Sequence, residues 1–189
     1  MNKKTSIFSL LFVLVLGTLN HFMYDWFPLT IVGLFTPVNE SIFEHLKLTF
    51  YPFLLTCIVR NFFLNDKDYF LKVALACVTG ILTIPIIYYL INIFVTPPAI
   101  VNIIIFVIAC ILQEYVFYSL MNDTFTNFPI GSKEGFIVIV IISLAFTVFT
   151  FIPPKLDLFL DPETKTYGFY KNTKKNSDFS ESFILKLIF

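Results

Sequence analysis

The sequence predicts an all-α membrane protein, a bundle of about five transmembrane helices with a short extramembrane C-terminal tail. Three observations carry that expectation. Of 189 residues, 57% are hydrophobic and 14% charged, against about 25% charged in an ordinary soluble domain, too few to build a water-facing surface. Mean hydropathy is +0.82. The apolar residues also come in runs of about 20, the length that crosses a hydrocarbon layer of about 30 Å at 1.5 Å per residue.

The expected spans are residues 7–27, 41–64, 70–95, 99–121 and 135–152, which make a transmembrane domain over 1–152. Met1-Asn2-Lys3-Lys4 before the first run imitates a signal peptide, but no A-x-A-like site follows and the apolar stretch continues to Phe27, so the segment reads as a retained span. Asn65-Asp66-Lys67-Asp68 breaks the second span from the third, and Thr96-Pro97-Pro98 breaks the third from the fourth. A polar loop over 122–134 precedes the fifth span, and Pro153-Pro154 ends it. Residues 153–189 form the tail, with 172–182 expected to be flexible and 183–189, too short to span, expected on the membrane surface.

Thirteen basic and thirteen acidic residues cancel, so nothing favours a nucleic-acid partner; the expected partner is the lipid bilayer, with a homo-oligomer open. Six glycines exclude a collagen-like chain. Cys57, Cys77 and Cys110 are odd in number, lie in apolar runs and form no C-x-x-C pair, so they read as small hydrophobes. Lys3, Lys4, Arg60, Lys67, Lys72 and Lys133 fall on one side while residues 28–38 and 96–98 carry no basic group, which places the N-terminus in the cytoplasm of a multi-pass cell-membrane protein.

Ionisable groups at the edge of a span mark a site or a pairing. His21 and Asp25, four apart, share a face near the outer end of the first span. Across the first outer loop, Glu40, Glu44 and Lys47 follow i, i+4, i+7, with His45 beside them. The candidate ligand-binding set is therefore His21, Asp25, Glu40, Glu44 and His45, and the candidate metal ligands, for zinc or another divalent ion, are His21, Asp25, Glu44 and His45. No H-E-x-x-H signature is present. A purely structural account competes: Ser41-x-x-Glu44 is a capping-box pattern, and acidic residues suit a helix N-terminus. Deeper in the bundle, Arg60 and Glu114 are expected to form a buried ion pair. Asp157 or Asp161 of the tail is placed to add to the outer cluster.

The segments His21-Phe22-Met23-Tyr24-Asp25-Trp26, Val32-Gly33-Leu34-Phe35 and Pro37-Val38-Asn39-Glu40-Ser41-Ile42-Phe43-Glu44-His45-Leu46-Lys47-Leu48, with Pro153-Pro154, Asp161-Pro162 and Tyr167-Gly168, resemble an uncharacterised family of small prokaryotic integral membrane proteins. The resemblance covers most of the chain and implies a membrane domain, without an activity or a set of functional residues. The E-E-x-x-x-R motif of intramembrane prenyl proteases does not occur. Three functions fit such a chain. An outward-facing polar pocket binds a cation or polar headgroup for transport or sensing; a metal-dependent hydrolase uses the same residues; or an assembly subunit keeps them as caps and pairings.

Overall fold

A computed structural model describes residues 1–64, 66–95, 97–122 and 130–169. Within them the chain folds as α1 (Lys3–Trp26), α2 (Thr30–Gly33), α3 (Ile42–His45), α4 (Lys47–Asn61), α5 (Tyr69–Asn92), α6 (Ala99–Asn122) and α7 (Ser132–Phe151), followed by a 3-10 turn at Asp157–Phe159. No strand is present among the described residues beyond one isolated bridge, Leu160 with Tyr167. Five helical segments are long and apolar enough to cross a membrane: α1, α3 with α4, α5, α6 and α7. Residues 172–189, expected as a flexible stretch and a surface segment, lie outside the described part.

The helices run alternately up and down. The Met1 ammonium donates to Asn122 Oδ1 at 2.7 Å, so the start of α1 and the end of α6 meet at one end. The other end, reached by α1 at Trp26 and by α7 at Phe151, carries both histidines and is called the site end below. α5 packs along α6 and α7, while α1 packs along α4 and α6. Phe50, Phe53, Phe117 and Phe146 are all almost wholly buried between the helices.

Two glycines set the closest approaches. Pro52 withdraws the N–H that the Leu48 carbonyl would accept within α4. α1 passes that carbonyl at Gly17, where an added Cβ would lie 2.8 Å from Leu48 O and 2.7 Å from Phe106 Cζ. At Gly135, α7 crosses α5 so tightly that a Cβ would overlap the backbone of Phe70 and Leu71.

At the start of the second span the structure differs from the sequence reading in two informative ways. The second span begins at Ile42 and not at Ser41: Ser41 is extended and caps α3, and a single tightened turn at Leu46 joins α3 to α4 within the span. Glu40 therefore precedes the helix, and the stripe Glu40, Glu44, Lys47 does not form, because its first member lies outside the helical register. The capping box is also only half made. Ser41 Oγ accepts from Glu44 N at 3.4 Å, but Ser41 N donates to Asn39 Oδ1 at 2.9 Å, since the Glu44 carboxylate is engaged elsewhere.

The tail folds back onto the site end. Phe159 packs against Phe43 with ring centroids 4.5 Å apart, and Phe169 lies against Tyr24 and Phe151. Gly168 has φ +66°, and an added Cβ would lie 2.8 Å from both Pro153 Cγ and Thr150 O. The Gly168 carbonyl accepts from Asn39 Nδ2 at 2.9 Å, tying the tail to the loop that holds Glu40. Gly168→Ala is expected to weaken this docking by about 1–2 kcal/mol, the cost of a left-handed conformation for an L side chain. Faster limited proteolysis within residues 155–168, with helix content unchanged, is the check.

Candidate functional site

At the site end the short loop between α1 and α3 brings His21 of α1 opposite His45 of α3. Their Nε2 atoms are 3.2 Å apart. Glu40 Oε2 lies 3.4 Å from His45 Nε2 and 3.8 Å from His21 Nε2, closing a triangle of three ligand-type atoms. A tetrahedral ion with bonds of about 2.0–2.1 Å spaces its ligand atoms by about 3.3–3.4 Å; the His21–His45 and His45–Glu40 edges are close to that, and the His21–Glu40 edge is longer.

The protonation of His45 follows from its other nitrogen. Nδ1 lies 2.8 Å from the Ser41 carbonyl oxygen. A carbonyl only accepts, so Nδ1 carries a hydrogen, and in its neutral form the ring would present its lone pair at Nε2. A carbonyl on the distal nitrogen is the usual outer partner of a metal-bound imidazole. Among the described residues His21 has no such partner: its Nδ1 is buried without a hydrogen bond. All three groups are partly accessible, with side-chain exposures of 32% for His21, 41% for Glu40 and 24% for His45.

Of the candidate metal ligands named from the sequence, His21 and His45 meet at the triangle and Asp25 and Glu44 do not join it. Glu40 occupies the position beside the histidines, and Glu44 turns away into the protein. Asp25, one turn beyond His21, stays within electrostatic reach of it but is not one of the three converging ligands.

Glu44 belongs to a separate buried network. Lys47, 0% exposed, reaches back three residues to Glu44 Oε2 at 2.7 Å and also donates to Thr150 Oγ1 at 2.7 Å and Gly33 O at 2.8 Å. Those three contacts use its three protons, and Thr36 O sits further off at 3.3 Å. Glu44 accepts from Thr150 Oγ1 at 2.8 Å and from Val38 N at 3.1 Å. The network therefore fastens the 33–38 loop to α4 and α7, and this loop leads directly to Glu40. Thr150 was missed by sequence reasoning; a hydroxyl at the last turn of an otherwise apolar helix was the only signal.

A cleft of about 390 Å³ opens beside Glu40 and His45. Its walls are Tyr88, Tyr89 and Asn92 near the end of α5 and Asn102 near the start of α6; its floor is Ile84 and Ile105. Asp157, Glu163 and Lys165 of the tail edge it. Asp157 thus reaches the cluster's surroundings, whereas Asp161 is 4% exposed and consumed in its own turn, accepting from Glu163 N and Thr164 Oγ1. That turn holds Lys165 at φ +58°.

Far from the site, Arg60 Nη1 and Glu114 Oε1 pair at 2.8 Å. Ser6 and Ser9 of α1 donate to the two oxygens of Glu114, and the guanidinium lies 4.3 Å from the Phe117 ring centroid. Ser6 and Ser9 share a face of α1, a pattern visible in the sequence but without an evident partner there.

Over the described residues the fold and the cluster define an all-helical protein with five helices long enough to cross a bilayer and a His-His-Glu triangle at one end. Residues 1–169 match the DUF6512 family, a family of unknown function, and the chain belongs to it. No curated protein and no solved structure matches the chain.

Proposed function

We propose that this is a multi-pass membrane protein that binds a divalent transition-metal ion, zinc being the best fit, through His21, Glu40 and His45 on its extracytoplasmic face. The observation that carries the reading is the convergence of two imidazole nitrogens and one carboxylate oxygen within 3.8 Å of one another, with one imidazole's tautomer set by a main-chain carbonyl. Two nitrogens and one oxygen suit zinc and its neighbours better than calcium or magnesium, which favour all-oxygen shells. The basic residues at the opposite end support a cytoplasmic N-terminus and an external site.

The test is metal content. The full chain, purified in detergent and dialysed against zinc or manganese, is expected to retain about one ion per molecule. His45→Ala should lower that affinity at least about 100-fold, beyond the 10–100-fold typical of losing an outer-shell partner. An ion held at 100 times its Kd stabilises the fold by about 2.7 kcal/mol, so the melting temperature should rise with metal in the parent and not in the variant. Absence of stoichiometric metal, with identical melting of parent and His45→Ala, would overturn the reading.

A second reading, metal-dependent hydrolysis, is favoured by one feature. Glu40 and His45 are shared between the triangle and the cleft, so an ion held by them would lie beside an accessible cavity, as catalytic rather than structural zinc does. Asp157 and Glu163 on the same cleft are the candidates for a general base acting on metal-bound water. Transport through a single chain is less well supported, because the buried phenylalanines fill the interior between the two polar ends.

A further inference from the structure

The polar cleft beside the triangle is continuous with an apolar groove on the lipid-facing side of α5. That groove is lined by Pro85, Ile86, Leu90 and Ile93, and it meets the cleft at Tyr89 and Asn92, which line both. Ile86, Leu90 and Ile93 are 54%, 57% and 73% exposed, so the groove is open to whatever surrounds the bundle. A polar chamber opening sideways onto an apolar strip, at the depth where a helix leaves the bilayer, matches the shape of an amphiphile with its head in the chamber and a chain along the strip.

The charges narrow the headgroup. Three carboxylates edge the cleft, Glu40, Asp157 and Glu163, against one lysine, Lys165. A divalent ion at the triangle brings the set to neutrality, so a charged headgroup has no net counter-charge to meet. The signs would nonetheless be unevenly placed: Lys165 offsets only one of Asp157 and Glu163, leaving a net negative charge on the tail edge, while a divalent ion would outweigh Glu40 at the triangle. The ion's open position offers a seat for a phosphate oxygen, while Asp157 and Glu163 offer acceptors for an ammonium. We infer that the cleft and groove bind a zwitterionic phospholipid, its phosphate on the metal ion and its ammonium on the tail carboxylates. The inference rests on the metal reading above and goes beyond it by naming the ligand.

The experiment uses the full chain in detergent, loaded with zinc and separately stripped of it, with metal content measured on each sample. Four probes are titrated: dioctanoyl phosphatidylethanolamine, dioctanoyl phosphatidylglycerol, dioctanoylglycerol and water-soluble phosphoethanolamine. Phosphatidylethanolamine should bind the zinc-loaded protein at least about 10-fold more tightly than the other three, the effect of about one charge-assisted contact. Stripping zinc should abolish that preference. Asp157→Asn with Glu163→Gln, both on the exposed rim, should bring phosphatidylethanolamine down to the affinity of phosphatidylglycerol. Leu90→Gln should weaken the lipid and leave phosphoethanolamine unchanged. Unchanged melting of each variant shows that folding is intact, and Lys155→Gln serves as a tail substitution away from the cleft.

Equal binding of phosphatidylglycerol overturns the headgroup assignment. Equal binding of phosphoethanolamine overturns the lipid as its source. Phosphatidylethanolamine binding that survives removal of zinc overturns the metal's role in the headgroup seat, even where metal content upholds the triangle. A chain that takes up no metal fails the earlier reading first, by a separate measurement.

Discussion

Lys47→Met is expected to lower the stability of the folded protein by about 3–5 kcal/mol, the range for removing one partner of a buried ion pair. The substitution leaves the Glu44 carboxylate, 1% exposed, with only the Val38 amide and the Thr150 hydroxyl as donors. The Gly33 carbonyl loses its ammonium donor at the same time. An unpaired buried carboxylate is the larger part of the cost, so Lys47→Met with Glu44→Leu should recover a substantial share of it. Trp26, the only tryptophan, reports from the site end, and denaturant titration in detergent followed by its fluorescence gives the comparison. A double variant no more stable than Lys47→Met would show that the lysine acts on the loop carbonyls and not on Glu44.

Gly135→Leu is expected to prevent α7 from seating on α5, and the folded protein should not accumulate. The smaller Gly135→Ala should cost about 1–3 kcal/mol or more, the range for overpacking a filled core. Its added carbon meets main-chain atoms of Phe70 and Leu71, which cannot swing aside as a side chain can. Gly17→Ala provides the contrast, since one of its two close neighbours is the movable end of the Phe106 ring. Size-exclusion profiles and melting temperatures of the two alanine variants should rank Gly135 well above Gly17. The reverse order would mean that the α5–α7 crossing yields more readily than the α1 contacts.

Much of the architecture was legible because solvation alone dictates it. Long apolar runs separated by Asp66, Pro97 and Ser132 have few alternatives to spanning helices in a chain with so few charges. The meeting of the two histidines was legible for a related reason: they lie 24 residues apart with one short loop between them. The choice of carboxylate was not legible. Helical spacing places Glu44 beside His45, but spacing says nothing of Lys47, which competes for the same carboxylate from one turn on, inside the protein where the competition is strongest. The extended Ser41 frees Glu40 from the helix and lets it reach the histidines. The tightened turn at Leu46 likewise leaves no mark in composition. Thr150 lies 103 residues from Lys47, a pairing that only the packing of α7 creates.

The Ser41 carbonyl accepts from both the amide and the ring Nδ1 of His45. Because the group that orients this imidazole belongs to the main chain, no side-chain substitution can delete it. Variation at position 41 can loosen the helix start without stripping the ring of its acceptor. His21 has no comparable anchor among the described residues, so the two imidazoles are unequal in mutational robustness: drift in the neighbourhood should blur the His21 side of the triangle first and leave the His45 side in register.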